Sequence, residues 1–300
     1  MNGIRKARPS WLTGNLQGMG WMLTTAILIV TMHTLIRHLA ADMHPFEIGF
    51  FRTAFGAPVV AVLLWKYGWG ILRTDQIKVH GIRSVGHVIA MMMFFTGLAA
   101  TPLATANALA FTAPLFAAVL AVIFLGEVFR WRRWAALLFG FAGTLAIIRP
   151  GFVEVDTGPI LIIAASAIWG VILIVIKSLS GRDATPTIVA YMVIFMTPLS
   201  LIPALFVWTW PTLEQLGMLL VLGMMGTIGH LTLTQALRVG EAAVVMPMDF
   251  FKLIWAAALG FLIFGEIPDI YTWIGGVMIF VSATYLAIRE RAVTAAQSTR

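Results

Sequence analysis

The most restrictive feature of this chain is a succession of ten apolar runs, most of them long enough to cross about 30 Å of hydrocarbon as a helix. They are Met19 to Ala40, Phe46 to Trp65, Val85 to Ala100, Ala104 to Leu125, Trp134 to Ile148, Gly158 to Ile176, Ile188 to Trp208, Leu216 to Leu237, Ala242 to Phe264 and Tyr271 to Ile288, the third and fifth being short. In hydrocarbon every backbone N–H and C=O must find a partner within the protein, which leaves only helices and closed barrels. Continuous apolar runs, rather than short alternating ones separated by turns, select helices. With 60% hydrophobic and 11% charged residues, the apolar surface also exceeds what one soluble core can cover. The expected fold is an all-α integral membrane protein with ten transmembrane helices.

Charge orients that fold, because Lys and Arg accumulate in the cytoplasmic segments of membrane proteins. Ten spans put both termini on one side, and that side receives Arg5, Lys6, Arg8, Lys66, Arg73, Lys78, Arg83, Arg130, Arg132, Arg133, Lys177, Arg182, Arg238, Arg289, Arg291 and Arg300. Arg37 and Arg149 fall on the other, with Arg52 and Lys252 inside spans. Both termini are therefore expected in the cytoplasm, in a membrane of the bacterial inner-membrane type. The pI near 10.2 follows from this asymmetry and requires no nucleic-acid partner. No small-residue cleavage site closes the first apolar run, which reads as a retained helix, and Arg291 to Arg300 reads as a polar, disordered tail. The absence of cysteine removes disulfides and thiolate metal sites, and no pattern points to a metal or a cofactor. Nothing demands an oligomer, so a monomer in the lipid bilayer is compatible with the chain.

Two halves, 1–150 and 151–300, match in one register. Leu98 pairs with Leu237, Ala104 with Ala243, Phe111 with Phe250, Ala117 and Ala118 with Ala256 and Ala257, Leu120 with Leu259, Gly126-Glu127 with Gly265-Glu266, and Trp134 with Trp273. The Gly-Glu pair of the first half is followed by Arg130, Arg132 and Arg133, that of the second by Asp269. Five helices per half is an odd number, so the second copy should sit upside down relative to the first. Inverted repeats of this kind meet around a space near the bilayer midplane that rocking can open to either side.

Ionisable groups inside spans are costly and each needs a reason. Asp249 and Lys252 lie three apart on one helix face, which suits either a self-neutralising pair or a contact for a charged cargo. Arg52 can snorkel or pair with Glu47, a structural reading. His87 and His230 could couple protons, although buried neutral imidazoles often only join helices, and His33 is a weaker case of the same kind. Asn107 and Gln235 are uncharged amides that can bridge helices or touch cargo. Glu127 and Glu266 follow glycines at helix ends, where a capping role is expected. Among the tryptophans, Trp11, Trp65, Trp69, Trp131, Trp208, Trp210 and Trp273 lie near span ends as interfacial anchors, while Trp169 and Trp255 do not. Met91 to Met93 with Phe94 and Phe95, and Phe111, complete an apolar lining, although the consecutive Met91 to Met93 cannot all face one cavity. Pro58, Pro114, Pro198, Pro203 and Pro247 can kink helices. No HExxH, GxSxG or Walker A motif is present, so neither an enzyme nor a nucleotide-driven pump is expected.

The run Ala104 to Pro150, with Pro114, the Leu125-Gly126-Glu127 helix end, Trp134, and Gly140 and Gly143 before Ile147-Ile148, resembles the EamA repeat of the drug/metabolite transporter superfamily. Trp169-Gly170 followed by Lys177, and Phe50-Phe51-Arg52, look like the first and second helices of that repeat. Helix one departs from it, lacking Trp-Gly near Ile29-Val30, and helix nine adds Asp249 and Lys252. The resemblance implies ten helices and transport of small organic metabolites, often amino-acid export, and it puts Trp169 beside the cavity. The expected function is a secondary transporter exporting amino acids with apolar or aromatic side chains by alternating access. Uptake of another small metabolite, or a non-transporting scaffold, is the alternative.

Overall fold

The computed structural model describes residues 10–125, 131–150 and 156–298. Among them the chain is helical, with no β-sheet. The first half comprises α1 Ser10–Leu39, α2 Pro45–Ala54, α3 Ala57–Tyr67, α4 Ile77–Ala99, α5 Leu103–Ala110, α6 Ala113–Leu125 and α7 Trp131–Ile148. The second comprises α8 Thr157–Ser180, α9 Thr185–Leu205, α10 Leu213–Val239, the single turn α11 Ala242–Val245, a 3₁₀ segment Met246–Phe250, α12 Phe251–Phe264 and α13 Ile270–Ser298. Among the described residues, eight helical stretches are long and apolar enough to cross a membrane. The chain is a multi-pass membrane protein.

Three runs expected as continuous helices are interrupted, each beside a proline. A proline ring clashes with the carbonyl four residues earlier and donates no hydrogen bond. Accordingly α2 stops at Ala54, four residues before Pro58, and α5 stops at Ala110, four before Pro114. Pro247 lies at the start of the 3₁₀ segment that separates α11 from α12. Pro198 and Pro203, by contrast, stay inside α9. The expected disordered tail instead continues α13 to Ser298.

Helix ends are capped by local chemistry. The Thr212 hydroxyl accepts from Gln215 N at 3.2 Å, and the Gln215 carboxamide accepts from Thr212 N at 2.9 Å, so two of the free N–H groups of α10 are satisfied reciprocally. Gly265 ends α12 at φ 67°, a left-handed position that suits glycine, and Glu266 N closes the cap on Gly260 O at 3.0 Å. The matching Gly126-Glu127 lies outside the described residues, as does Arg130.

Packing pairs α1 with α10, α4 with α8, α2 with α9, α5 with α12 and α7 with α13. Lipid supplies no hydrophobic force between helices, so close approach through small residues does much of the joining. At the crossing of α7 and α13, a Cβ on Gly143 would press on Gly275 O and one on Gly275 on Gly143 O. The two backbones touch there.

Candidate functional site

A cavity of about 200 Å³ opens between the halves, lined by α1, α2, α4, α5 and α6 from one and α8, α10, the 3₁₀ segment, α12 and α13 from the other. Of the residues singled out by sequence, His87, Met91, Phe95, Asn107, Phe111, Trp169, His230, Asp249 and Lys252 line it. Gln235 does not: its carbonyl accepts from the Thr185 hydroxyl at 3.2 Å, tying α10 to α9. That is the helix-joining role open to an amide. Trp255 is likewise satisfied elsewhere, donating its indole N–H to Thr31 at 3.2 Å.

One wall is aromatic. The rings of His87 and Trp169 lie 4.8 Å apart, His87 and His230 5.1 Å, and Trp169 and His230 5.7 Å, so α4, α8 and α10 contribute one mutually touching trio. The tilted and edge-on contacts, the arrangements that the ring quadrupoles favour, hold the three rings against one another. Phe111 and Phe250, matched positions of the two halves, meet at 5.9 Å, and Phe250 packs on Phe280 at 4.2 Å. Met91 faces the cavity, while Met92 and Met93 line a separate apolar groove with Phe46, Ile89 and Ile202. Helical spacing forces that division.

The polar groups are few and held in place. Asn107 donates its amide N–H to Leu103 O at 2.8 Å, which leaves its oxygen to accept from His33 Nδ1 at 3.0 Å. In the neutral His33 ring, Nε2 is then the acceptor. Lys252 Nζ sits 2.7 Å from Asp249 Oδ1 and 3.0 Å from Oδ2. These two were expected on a continuous helix, whereas Asp249 belongs to the 3₁₀ segment and Lys252 to the first turn of α12. The discontinuity turns both toward the cavity.

Arg52 was read from sequence as snorkelling or paired with Glu47, and the structure corrects this. Glu47 is fully buried and accepts from Thr209 N at 2.6 Å and from the Thr209 hydroxyl at 3.0 and 3.1 Å. Arg52, 2% exposed, lines the cavity instead. Sequence did flag it as a charge inside a span, but the adjacent glutamate offered a false partner. His33, a weaker candidate in the sequence, and Phe94 beside Phe95 also line the cavity, as does Phe280, which no sequence signal marked.

At the end of the bundle where α1 finishes and α5 begins, ion pairs tie the halves. Glu266 pairs with Arg37 and accepts from Leu103 N at 2.9 Å, and Asp269 pairs with Arg149 at 2.5 Å. Arg37 also lies over the Phe264 ring and Arg149 over Tyr271.

Two matches to the EamA-like transporter family, over residues 16–149 and 156–288, together span nearly the whole sequence. The chain belongs to this family. Among curated relatives, an S-adenosylmethionine uptake transporter of Rickettsia bellii is 27% identical over 91% of this chain and 94% of its own length. A riboflavin transporter of Vibrio cholerae is 28% identical over 90% and 93% respectively. A pseudopaline exporter of Pseudomonas aeruginosa is 28% identical over 85% and 90%. One solved crystal structure superposes with a TM-score of 0.64 over 94% of this chain and 99% of its own, at 18% identity, a likeness of fold alone.

Proposed function

We propose that this protein is a secondary transporter that carries a small amphipathic metabolite across a bacterial inner membrane by alternating access, and that its cargo is an amino acid with an apolar or aromatic side chain. The observation that carries this reading is the cavity between the halves. A carrier must strip water from its cargo, so an apolar side chain needs aromatic and methionine surface while the charged ends need a few fixed partners. The Trp169 trio, Met91, Phe95 and Phe111 supply the first, and Arg52, Asp249 and Lys252 the second.

The carrier reading includes ten spans in two inverted repeats, 1–150 and 151–300, with both termini cytoplasmic. The helix pairing supports it: if α1 corresponds to α8 and α4 to α10, the pairs α1 with α10 and α4 with α8 exchange under a twofold rotation, and α7 with α13 lies on the axis. Two successive family matches, over residues 16–149 and 156–288, support a reading as two copies. Export is the direction favoured by the family resemblance, and the gradient sets it in any one membrane.

A second reading, uptake of a larger metabolite, is favoured by the relatives named for S-adenosylmethionine and riboflavin. Both compounds carry flat heteroaromatic rings that the Trp169 face would stack. Counterflow in proteoliposomes loaded with phenylalanine, methionine, S-adenosylmethionine or riboflavin separates the two. Phenylalanine and methionine exchange is expected, and no exchange with any of the four would refute a carrier for such cargo.

A further inference from the structure

We infer that Arg52 is the docking point for a carboxylate on the cargo, and that a carboxylate matters more to recognition than an amine. The inference rests on the carrier reading above and adds the substrate class. Its ground is the charge balance of the cavity. Three charged side chains line it, and two of them, Asp249 and Lys252, neutralise each other at 2.7 Å. Arg52 is left over. Its Nε is buried without an acceptor, and Glu47, the nearest acidic residue on the same helix, is committed to Thr209. No ion pair joins Arg52 to a carboxylate among the described residues.

A buried guanidinium without a counter-charge is expensive, yet the fold makes room for this one. Gly226 on α10 faces it, and a Cβ there would lie 2.8 Å from Nε. The histidines that line the same cavity, His33, His87 and His230, bring no negative charge. The cavity therefore carries one uncompensated positive charge. A single carboxylate restores neutrality, and its two oxygens fit the planar fork of guanidinium donors. An ammonium group gains less, because the one carboxylate in the cavity, Asp249, is already occupied by Lys252.

The test uses purified full-length protein and isothermal calorimetry with three probes that share a phenyl ring: phenylalanine, 3-phenylpropionate, which lacks the amine, and 2-phenylethylamine, which lacks the carboxylate. The acid is expected to bind roughly tenfold to a hundredfold more tightly than the amine. Arg52→Gln should abolish that preference, yet its melting temperature without probe should hold or rise, because an uncompensated buried charge has been removed. Gly226→Ala, which keeps the charge and crowds the guanidinium, should weaken the acid and spare the amine. Equal or tighter binding of the amine, undiminished acid binding by Arg52→Gln, or no acid binding to the unmodified protein would each overturn the inference. Should Arg52→Gln not fold, the preference of the unmodified protein decides. Phenylalanine that binds but is not exchanged in proteoliposomes would refute the carrier reading and leave the role of Arg52 standing.

Discussion

The Asp249–Lys252 pair offers a test in which the cavity's charge balance predicts an unequal outcome. At 2.7 Å and an effective dielectric constant of about 20, the gross attraction is about 6 kcal/mol, most of it offset by desolvation of both groups. Removing one partner of a buried pair typically costs about 3–5 kcal/mol because the other is stranded. Here the side chains are 16% and 18% exposed, so the low end applies. The two single variants should nevertheless differ. Asp249→Asn leaves Lys252 and Arg52 as two cations facing one small cavity, with a cost of about 3 kcal/mol. Lys252→Met leaves Asp249 facing Arg52, a favourable arrangement, so its cost should be about half as large. The double variant restores the single excess charge already present and should fall within about 1 kcal/mol of the parent, since removing both members of such a pair is often tolerated. Equilibrium unfolding in mixed micelles measures all three. A Lys252→Met cost equal to that of Asp249→Asn would show that Arg52 does not share the field, and a double variant less stable than either single would refute the pairing argument altogether. Transport then separates structure from recognition: a double variant that folds and still exchanges substrate has lost only a structural pair, whereas one that folds and is inactive has lost a substrate contact.

The other tests are simpler. Trp169→Ala should weaken aromatic and large apolar substrates by about 1–3 kcal/mol relative to threonine, and Trp169→Phe by less, since a ring remains; unchanged competition in counterflow at equal protein levels would place the site elsewhere. In this cysteine-free chain, Asp269→Cys should react with an impermeant thiol reagent from outside the cell and Arg132→Cys should not, and equal labelling would sink the inverted arrangement. Glu266→Gln removes the charge that holds Arg37 and Leu103 N, so it should destabilise that end of the bundle by about 1–3 kcal/mol and raise thiol labelling of a cysteine placed at Ala104. Labelling no faster than in the parent would show that these contacts do not restrict access.

Helices and lipid-facing surface were legible because they depend on local chemistry: twenty apolar residues in a row are a statement about solvent whatever surrounds them. Trp169, His87 and His230 were legible as candidates because mid-span polar or amphipathic groups are costly enough to mark themselves. Which way each one turns was not. Arg52 and Glu47 are five residues apart on α2 and invited pairing, yet Thr209, in the connection before α10, takes the glutamate. That depends on the packing of α2 against α9, which no local pattern encodes. Gln235 lies away from the cavity for the same reason, since the rotation of α10 presents His230 to the cavity and Gln235 to Thr185. The helix breaks were half legible: Pro58, Pro114 and Pro247 interrupt their helices, but Pro198 and Pro203 do not, although all five look alike in sequence.

Two of those breaks, at Pro114 and Pro247, explain why the cavity lies where it does. In hydrocarbon an interrupted helix survives only where its unpaired backbone is buried in protein or faces a polar space. Pro114 deprives the Ala110 carbonyl of its helical donor, and Leu115 N turns back to Thr112 O at 2.9 Å. Ala110, Phe111, Ala113 and Pro114 all line the cavity, as do Met246, Asp249 and Lys252 around the second break. Phe111 and Phe250, the residues at the two breaks, correspond between the halves and touch across the gap. A continuous helix at either place would close its own hydrogen bonds and present only side chains. The interruptions bring backbone dipoles and an ion pair to the middle of the bundle, and the polar cost of doing so is contained in one lined space. Replacing Pro114 with Leu should heal the first break and, by joining α5 to α6, reduce substrate exchange while stabilising the fold. Stability that falls instead would show that the bend, rather than the missing donor, is what the packing requires.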